Sequence, residues 1–544
     1  MTRAKMTGWY DPLQLVRTGA DIVLSTVFAS RDDFRQIEAL ADPQPPYRYD
    51  GDELWFDFMA DTGDGWNSTF TVASLLARPT LTLDGKETPR GRLLVLGSDE
   101  VYPVAGRDAY EQKFVQPFTC AATAAPGADG PELFAIPGNH DWYDGLGSFM
   151  RLFCQQRAIG TWRTRQSRSY FAVQLPHRWW MIAVDIQLES DIDKPQIDYF
   201  LDVASRIQAG DRLILVTAEP DWVHAATQET PAMQRNVAFL FDQIFQRTGA
   251  RLALRLTGDL HHYRRHERAD GKVHNIIAGG GGAFMHPTHG PNVEPIVVSD
   301  DQGQAQTYHL KKSFPDERTS RRLTWGNLGF SFKNPRFAFT IAALYLMLSW
   351  TMPRATRVPS LRLLIKGVIE GFIATPLALA WSAFIIGGFM LFTDTQKKWY
   401  RYLGGGAHGA AHLLAALLVA WSAHLIVHPL FGENRYVALA AVVLVKYGLA
   451  FFVGSTVMGV YLLVSLNLFR RHANEAFSSL RIEDYKNFLR LHIDPSGALT
   501  IYPIGIRKVP RRWTQVQSPG AGAPSVVPNA PIEPFLIEPP IRID

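Results

Sequence analysis

Between residues 337 and 469 this 544-residue chain is almost continuously apolar, and nothing else in it restricts the fold so severely. Residues 337–352, 371–392, 407–431 and 437–469 form successive apolar runs; the second is uncharged with Pro376 inside, and the last holds one charge, Lys446. A span of the hydrocarbon core takes roughly 20 residues, and there every backbone amide and carbonyl must be satisfied within the segment, which leaves helices. The pattern predicts about four transmembrane helices, with both ends of the block on one side. Lys311, Lys312, Arg318, Arg321, Arg322, Lys333 and Arg336 precede the block against only Asp316 and Glu317. Arg470 and Arg471 follow it, and Lys397, Lys398 and Arg401 lie in the loop after the second run. The positive-inside rule places these on the cytoplasmic face of an inner or plasma membrane. Arg354, Arg357, Arg362 and Lys366 in the loop 353–366 oppose that orientation. His408 with His412, and His424 with His428, stand one helical turn apart, a spacing that suits either cofactor ligation or packing and interfacial hydrogen bonds. Glu370 and Lys446 are functional candidates because charge inside a membrane is costly.

The residues before about 310 read differently. Short apolar runs, each four to seven residues long, end in polar or glycine-rich clusters. Residues 54–60 lead to Asp61-Thr62-Gly63-Asp64, 92–96 to Gly97-Ser98-Asp99, and 212–216 to Thr217-Ala218-Glu219-Pro220. Residues 252–256 lead to Thr257-Gly258-Asp259-Leu260-His261-His262, and 273–278 to four glycines, Gly279 to Gly282, then His286 and His289. Such runs suit strands buried on both faces, and repeated exits carrying Asp, Asn and His would converge on one sheet edge, where open α/β sheets bind ligands. The formal net charge, +4, is too small to argue for nucleic acid. Two cysteines, Cys120 and Cys154, give neither a disulfide framework nor a Cys-rich zinc site. At the N-terminus residues 13–28 are broken by Arg17 and Asp21, so they read as an amphipathic helix packed on the domain and not as a signal peptide.

The central stretch is Pro137-Gly138-Asn139-His140-Asp141, after the apolar run 133–136 and before a helix over 147–156. With the other strand exits it resembles the calcineurin-like metallophosphoesterases over most of residues 50–290. The resemblance implies a sandwich of two β-sheets flanked by helices. It puts Asp61 in the first motif, Asp99 in the second as a carboxylate bridging two divalent cations, Asn139 and His140 in the third, and His261 in the last. His140 would stabilise the leaving oxygen or act as general acid. The chain departs from the family at three imidazole positions: Gly63, Ala218 and Asp259 stand where histidines are expected. Asp259, Asp64 and Glu219 are carboxylates that could substitute, and His262 would enter the last motif in an alternative register. His286 and His289 are further candidates, or surface residues, and His224 another. Replacing imidazole by carboxylate favours two Mg²⁺ or Mn²⁺ ions over Zn²⁺. The four glycines suit a phosphate-binding nest or a flexible turn.

The expected organisation is therefore an α/β phosphoesterase-like domain over 1–310 and a basic juxtamembrane linker over 311–336. Transmembrane helices over 337–469 follow, then a small β-containing unit over 470–517, built on a hairpin-like pattern around Asp494-Pro495-Ser496-Gly497, and a disordered Pro-rich tail over 518–544. The expected activity is a membrane-anchored, metal-dependent hydrolase of a phosphomonoester or phosphodiester, its substrate a phosphorylated small molecule or a lipid-linked one. The alternative is a catalytically weak domain that binds a phosphorylated ligand and signals through its helices.

Overall fold

The computed structural model describes all residues except 1–2, 29–43, 123–129, 187–191, 228–231, 291–293, 300–304, 352–355, 394–396, 432–433 and 521. The chain divides into two compact units: Met1–Thr7, Arg17–Ser320 and Arg481–Asp544 form the first, and Gly8–Val16 with Arg321–Leu480 the second.

The strands that position the site are β1 (Leu54–Met59), β2 (Leu93–Leu96), β3 (Glu132–Ala135), β4 (Arg212–Thr217), β5 (Arg251–Thr257), β6 (His274–Ala278), β7 (Lys486–Ile493) and β8 (Leu499–Ile506). One nine-stranded sheet runs in the order Tyr47–Arg48, Phe171–Leu175, Trp179–Ala183, β4, β5, β6, Tyr263–Arg268, Ala305–Phe314, Ile296–Ser299. A second runs Pro534–Leu536, β8, β7, β1, β2, β3, Trp162–Thr164, Ala158–Ile159, with Ile541–Ile543 also on β8. β1, β2 and β3 are parallel neighbours, as are β4, β5 and β6, so within each group the carboxyl ends emerge on one edge.

Side chains alternate across a strand, and the alternation assigns the layers. Phe56 and Phe58 of β1, Leu93 and Val95 of β2, Ile214 and Val216 of β4, and Leu489 and Leu491 of β7 meet in one core between the two sheets. Leu94 and Leu96 of β2 face the other way, onto Trp66, Phe70, Phe118 and Phe149 from the helices Trp66–Leu76, Gln116–Ala121 and Gly147–Phe153. Leu213 and Leu215 of β4 face Tyr199, Phe200, Val203 and Leu240 of the helices Lys194–Arg206 and Ala232–Leu240. Strands apolar on both faces are thus explained by burial on both faces.

Three expectations change. Ala305–Phe314 is a sheet strand running into the segment expected as a linker, and Glu317–Thr324 is helical. The hairpin expected as a small separate unit, β7 and β8, lies inside the second sheet, where β7 pairs with β1. Arg490 fixes that register: its Nε and Nη2 donate to Asp57 Oδ1 and Oδ2 at 2.7 and 3.2 Å, and its Nη1 to the Thr88 carbonyl at 2.9 Å, all buried. Residues expected as a disordered tail carry the strands Val526–Pro528, Pro534–Leu536 and Ile541–Ile543, with Ile541 and Ile543 buried in the intersheet core. Alternating apolar residues there outweigh the proline content.

In the second unit, Lys398–Phe431 (34 residues) and Arg435–Phe469 (35 residues) are long and apolar enough to cross a membrane. Leu361–Ala374 and Pro376–Phe392 are also apolar but meet at 101°, so the described residues hold two candidate spans, or up to three if the bent pair counts as one. The expected four are corrected for two physical reasons. Thr375, just before Pro376, is extended (φ −128°, ψ 92°) and breaks the helix, and the described part of the first apolar run, Pro335–Thr351, holds 17 residues, short of the roughly 20 of a span. His412 Nδ1 meets the Tyr345 hydroxyl at 2.8 Å and the His408 and His412 Nε2 atoms meet at 3.2 Å, so these imidazoles serve one another. Lys446 Nζ donates to Ser349 Oγ at 3.3 Å, whereas Glu370 is exposed beside Lys366. The N-terminal helix spans Pro12–Phe28, with Leu13 and Val16 exposed; Tyr10 before it, itself in the second unit, packs edge-on against Phe330 and Phe337 of that same unit.

Candidate metal centre

The exits of β1, β2 and β5 each carry an aspartate in the left-handed region: Asp61 (φ 58°), Asp99 (φ 37°) and Asp259 (φ 67°). Aspartate tolerates that conformation better than most residues, and it turns the three side chains off their strands toward one another. The Asp259 amide donates to Asp61 Oδ1 at 3.1 Å, and the His140 amide donates to Asp99 Oδ1 at 2.9 Å. Gly138 is required at the exit of β3, because a Cβ there would land on Asp99 Oδ1.

The group that gathers them is a residue the motif reading passed over. The Tyr102 hydroxyl lies 3.1 Å from Asp99 Oδ2, 3.3 Å from Asp61 Oδ1 and 2.9 Å from His261 Nε2. His261 Nδ1 meets the Phe284 carbonyl at 2.8 Å. The proton therefore sits on Nδ1, and Nε2 turns its lone pair to Tyr102. His140 is held the same way, Nδ1 on the Pro103 carbonyl at 2.6 Å, its ring 4.5 Å from that of Tyr102. Tyr102 lies three residues after Asp99, on the turn that leaves β2, a position that carries no signal of its own.

Burial, then the charges of Asp99 and Asp259, raises the Asp61 carboxyl well above its ordinary range. Burial and Asp141 do the same to Asp99. The Tyr102 hydroxyl is held up by burial and by both carboxylates. Burial, then His286, drives His261 well below the usual imidazole value, and burial lowers His140. Asp61 Oδ2 is buried without a hydrogen-bond partner. A cation beside these carboxylates would offset their burial and their mutual repulsion.

This geometry tests whether the residues suit a divalent cation. Tyr102 Oη stands at hydrogen-bond separation from an oxygen of Asp61, an oxygen of Asp99 and a nitrogen of His261, which brings three residue types that can ligate a cation to one hydroxyl. Among the described residues, no three His, Cys, Asp or Glu side chains close on one point by themselves; the convergence depends on the phenol. Oxygen donors, the kind a hard cation takes, predominate among the side chains that meet here.

The remaining candidates divide. Asp259 Oδ2 meets His224 Nε2 at 3.0 Å, with Glu219 Oε2 3.9 Å from the same nitrogen. Burial pushes Asp259 up, but His224 outweighs it and the carboxyl lies below its ordinary value; His224 is raised in turn, against its own burial. Asn139 donates from Nδ2 to the Tyr143 hydroxyl at 3.2 Å, which leaves its amide oxygen to accept. His286 stacks on His261, ring centroids 3.8 Å apart. Asp64 is occupied elsewhere, accepting from the Thr7 and Phe284 amides at 2.9 and 3.3 Å. His262 is buried near Arg264, and His289 Nδ1 meets Ser320 Oγ at 2.7 Å. The glycine run serves close packing: a Cβ on Gly279 would strike Asp61 Oδ2, and one on Gly280 would strike Asn487.

No family model matches the chain, and no curated protein does. A structure of GAP50, described as the anchor in the inner membrane complex of Plasmodium, is similar with a TM-score of 0.34 and 15% identity over 50% of this chain and 93% of that one. A structure of PhoD is similar with a TM-score of 0.28 and 11% identity over 44% of this chain and 59% of that one. Neither likeness bears on what this chain binds.

Proposed function

We propose that the first unit is a metal-dependent phosphoesterase of the calcineurin-like class, anchored to a membrane by the helices of the second. The observation that carries the reading is the meeting of Asp61, Asp99 and His261, from three strand exits, on the Tyr102 hydroxyl. In this reading Asp61, Asp99, Tyr102 and His261 would hold one divalent cation, and Asp99, Asn139, Glu219 and Asp259 would hold a second. Oxygen predominates among the donors, which favours Mg²⁺ or Mn²⁺ over Zn²⁺. When bound, such cations lower the pKa of water and neutralise charge that develops on phosphoryl oxygens. His140, fixed through Nδ1, offers Nε2 to the leaving oxygen and delivers a proton there when the ring is charged. The substrate is a phosphomonoester or phosphodiester on a small molecule or a lipid-linked carrier, with the unit on the cytoplasmic side of an inner or plasma membrane, where the flanking arginines and lysines would hold it.

A second reading is favoured by Gly63 and Ala218 at expected imidazole positions and by the engagement of Asp259 with His224. In it the same pocket binds a phosphorylated ligand with little turnover and signals through the helices. Metal analysis of the purified full chain, with hydrolysis of p-nitrophenyl phosphate and bis-p-nitrophenyl phosphate in added Mn²⁺, separates the two. Metal with turnover supports the first, metal with ligand binding but no turnover the second, and a protein that takes up no metal overturns the phosphoesterase reading.

A further inference from the structure

The edge of the second sheet opposite the carboxylates carries the reverse charge. Arg90 and Arg92 lead into β2, while Arg163 and Arg165 lie on and just after Trp162–Thr164, two strands away. β3 runs between them and enters through Gly130 and Pro131, where the backbone passes so close to the Thr161 carbonyl that a Cβ on Gly130 would strike it. Together they line a cavity of about 480 Å³ with four guanidiniums in its wall and one carboxylate, Glu132.

That carboxylate is already engaged. The Tyr49 hydroxyl donates to Glu132, and Arg165 Nε approaches it no closer than 3.7 Å. Arg92 lies over the Tyr49 ring, 5.3 Å from its centroid, and Arg90 is tied to the Ala77 carbonyl at 3.2 Å. Among the described residues Arg92 and Arg163 have no carboxylate within ion-pair reach. Four cations sharing one concavity repel one another, and neutral packing does not require that arrangement. Guanidinium is also the group whose planar fork matches phosphate oxygens two at a time, and the volume falls in the range of small-ligand sites.

We infer that this arginine-lined cavity, at the entry edge of β2 and β3, binds an anion bearing more than one phosphate. Its source is either a free polyphosphate group or the headgroup of an anionic lipid. The inference does not rest on the phosphoesterase reading, since none of its residues touches the carboxylate site.

The test uses the full chain in detergent with excess chelator, so that no divalent cation at the carboxylate site can hold phosphate there. One arm titrates inorganic tripolyphosphate calorimetrically; the other measures retention of cardiolipin, whose headgroup carries two phosphates, in mixed micelles by native mass spectrometry. Saturable binding in either arm, weakened on the order of tenfold or more in Arg92→Ala/Arg163→Ala and only partly in Arg163→Lys, is the expected result, and the responding arm identifies the source. Exposed side chains are replaced, so the melting temperature should stay unchanged. Absence of binding in both arms overturns the inference, as does equal binding by Arg92→Ala/Arg163→Ala and the unaltered protein.

Discussion

Asp99 and His140 stand on neighbouring strand exits and touch through a single amide, yet their substitutions should read out differently. Asp99→Asn keeps the shape and removes the charge, so both proposed cation positions should empty and metal content should fall along with turnover. His140→Ala should leave metal content largely intact and slow turnover by roughly 10²–10⁴-fold if the ring acts as general acid. Paired metal stoichiometry and rate measurements check this, and full metal with full activity in Asp99→Asn would end the two-metal account. Tyr102→Phe removes one oxygen from the centre of the group; we expect weakened metal retention with an unchanged circular dichroism spectrum. The Asp259–His224 pair has a pH window. Asp259 is depressed, so its contribution is lost as pH falls through its folded value; His224 is raised, so its contribution is lost as pH rises through its own folded value. In chelator, the difference in melting temperature between the unaltered protein and His224→Asn should therefore be largest between those two limits and shrink on either side. A difference that does not vary with pH would count against an ion pair. That Asp61, Asp99, His140 and His261 would come together was legible because each belongs to a short motif at the end of an apolar run. Tyr102 was not, since Val101-Tyr102-Pro103 reads as an ordinary apolar turn, and its role depends on a histidine 159 residues away.

The most informative element is β7. Its alternation was visible in the sequence, but its partner was not, because Arg490 pairs with Asp57 across 433 residues. Local pattern specifies a strand; only the burial of Phe488 on one face and of Leu489 and Leu491 on the other demands a central place in a sheet. Arg490→Met should leave Asp57 buried and uncompensated, at a cost of about 3–5 kcal/mol. Chemical denaturation of the full chain in detergent, monitored by tryptophan fluorescence, measures it; a loss below about 1 kcal/mol would mean that water reaches the carboxylate. The helix break at Thr375 has a similar lesson: Pro376 was noted inside an apolar run, but composition cannot state the angle at which the two halves meet.

For the whole molecule, connectivity constrains the membrane. The chain leaves the first unit near residue 320 and returns to it at Arg481. Both ends of the intervening segment must therefore lie on one side, and any membrane it spans is crossed an even number of times. The two long helices satisfy this alone; a bent pair that crossed as a third span would require Pro335–Thr351 to cross as a fourth. Protease protection in sealed vesicles should accordingly shield residues on either side of the helices together, and cleavage of one flank without the other would contradict the shared sheet. The same return has a consequence in time. β1 and β2 emerge early from the ribosome, but the strand that closes the other side of β1 follows 433 residues behind Asp57, roughly 20–90 s at usual rates of synthesis. Until then the edge of β1 stands open, a template for any extended segment that reaches it, so insertion of the helices sets the clock for completing the sheet.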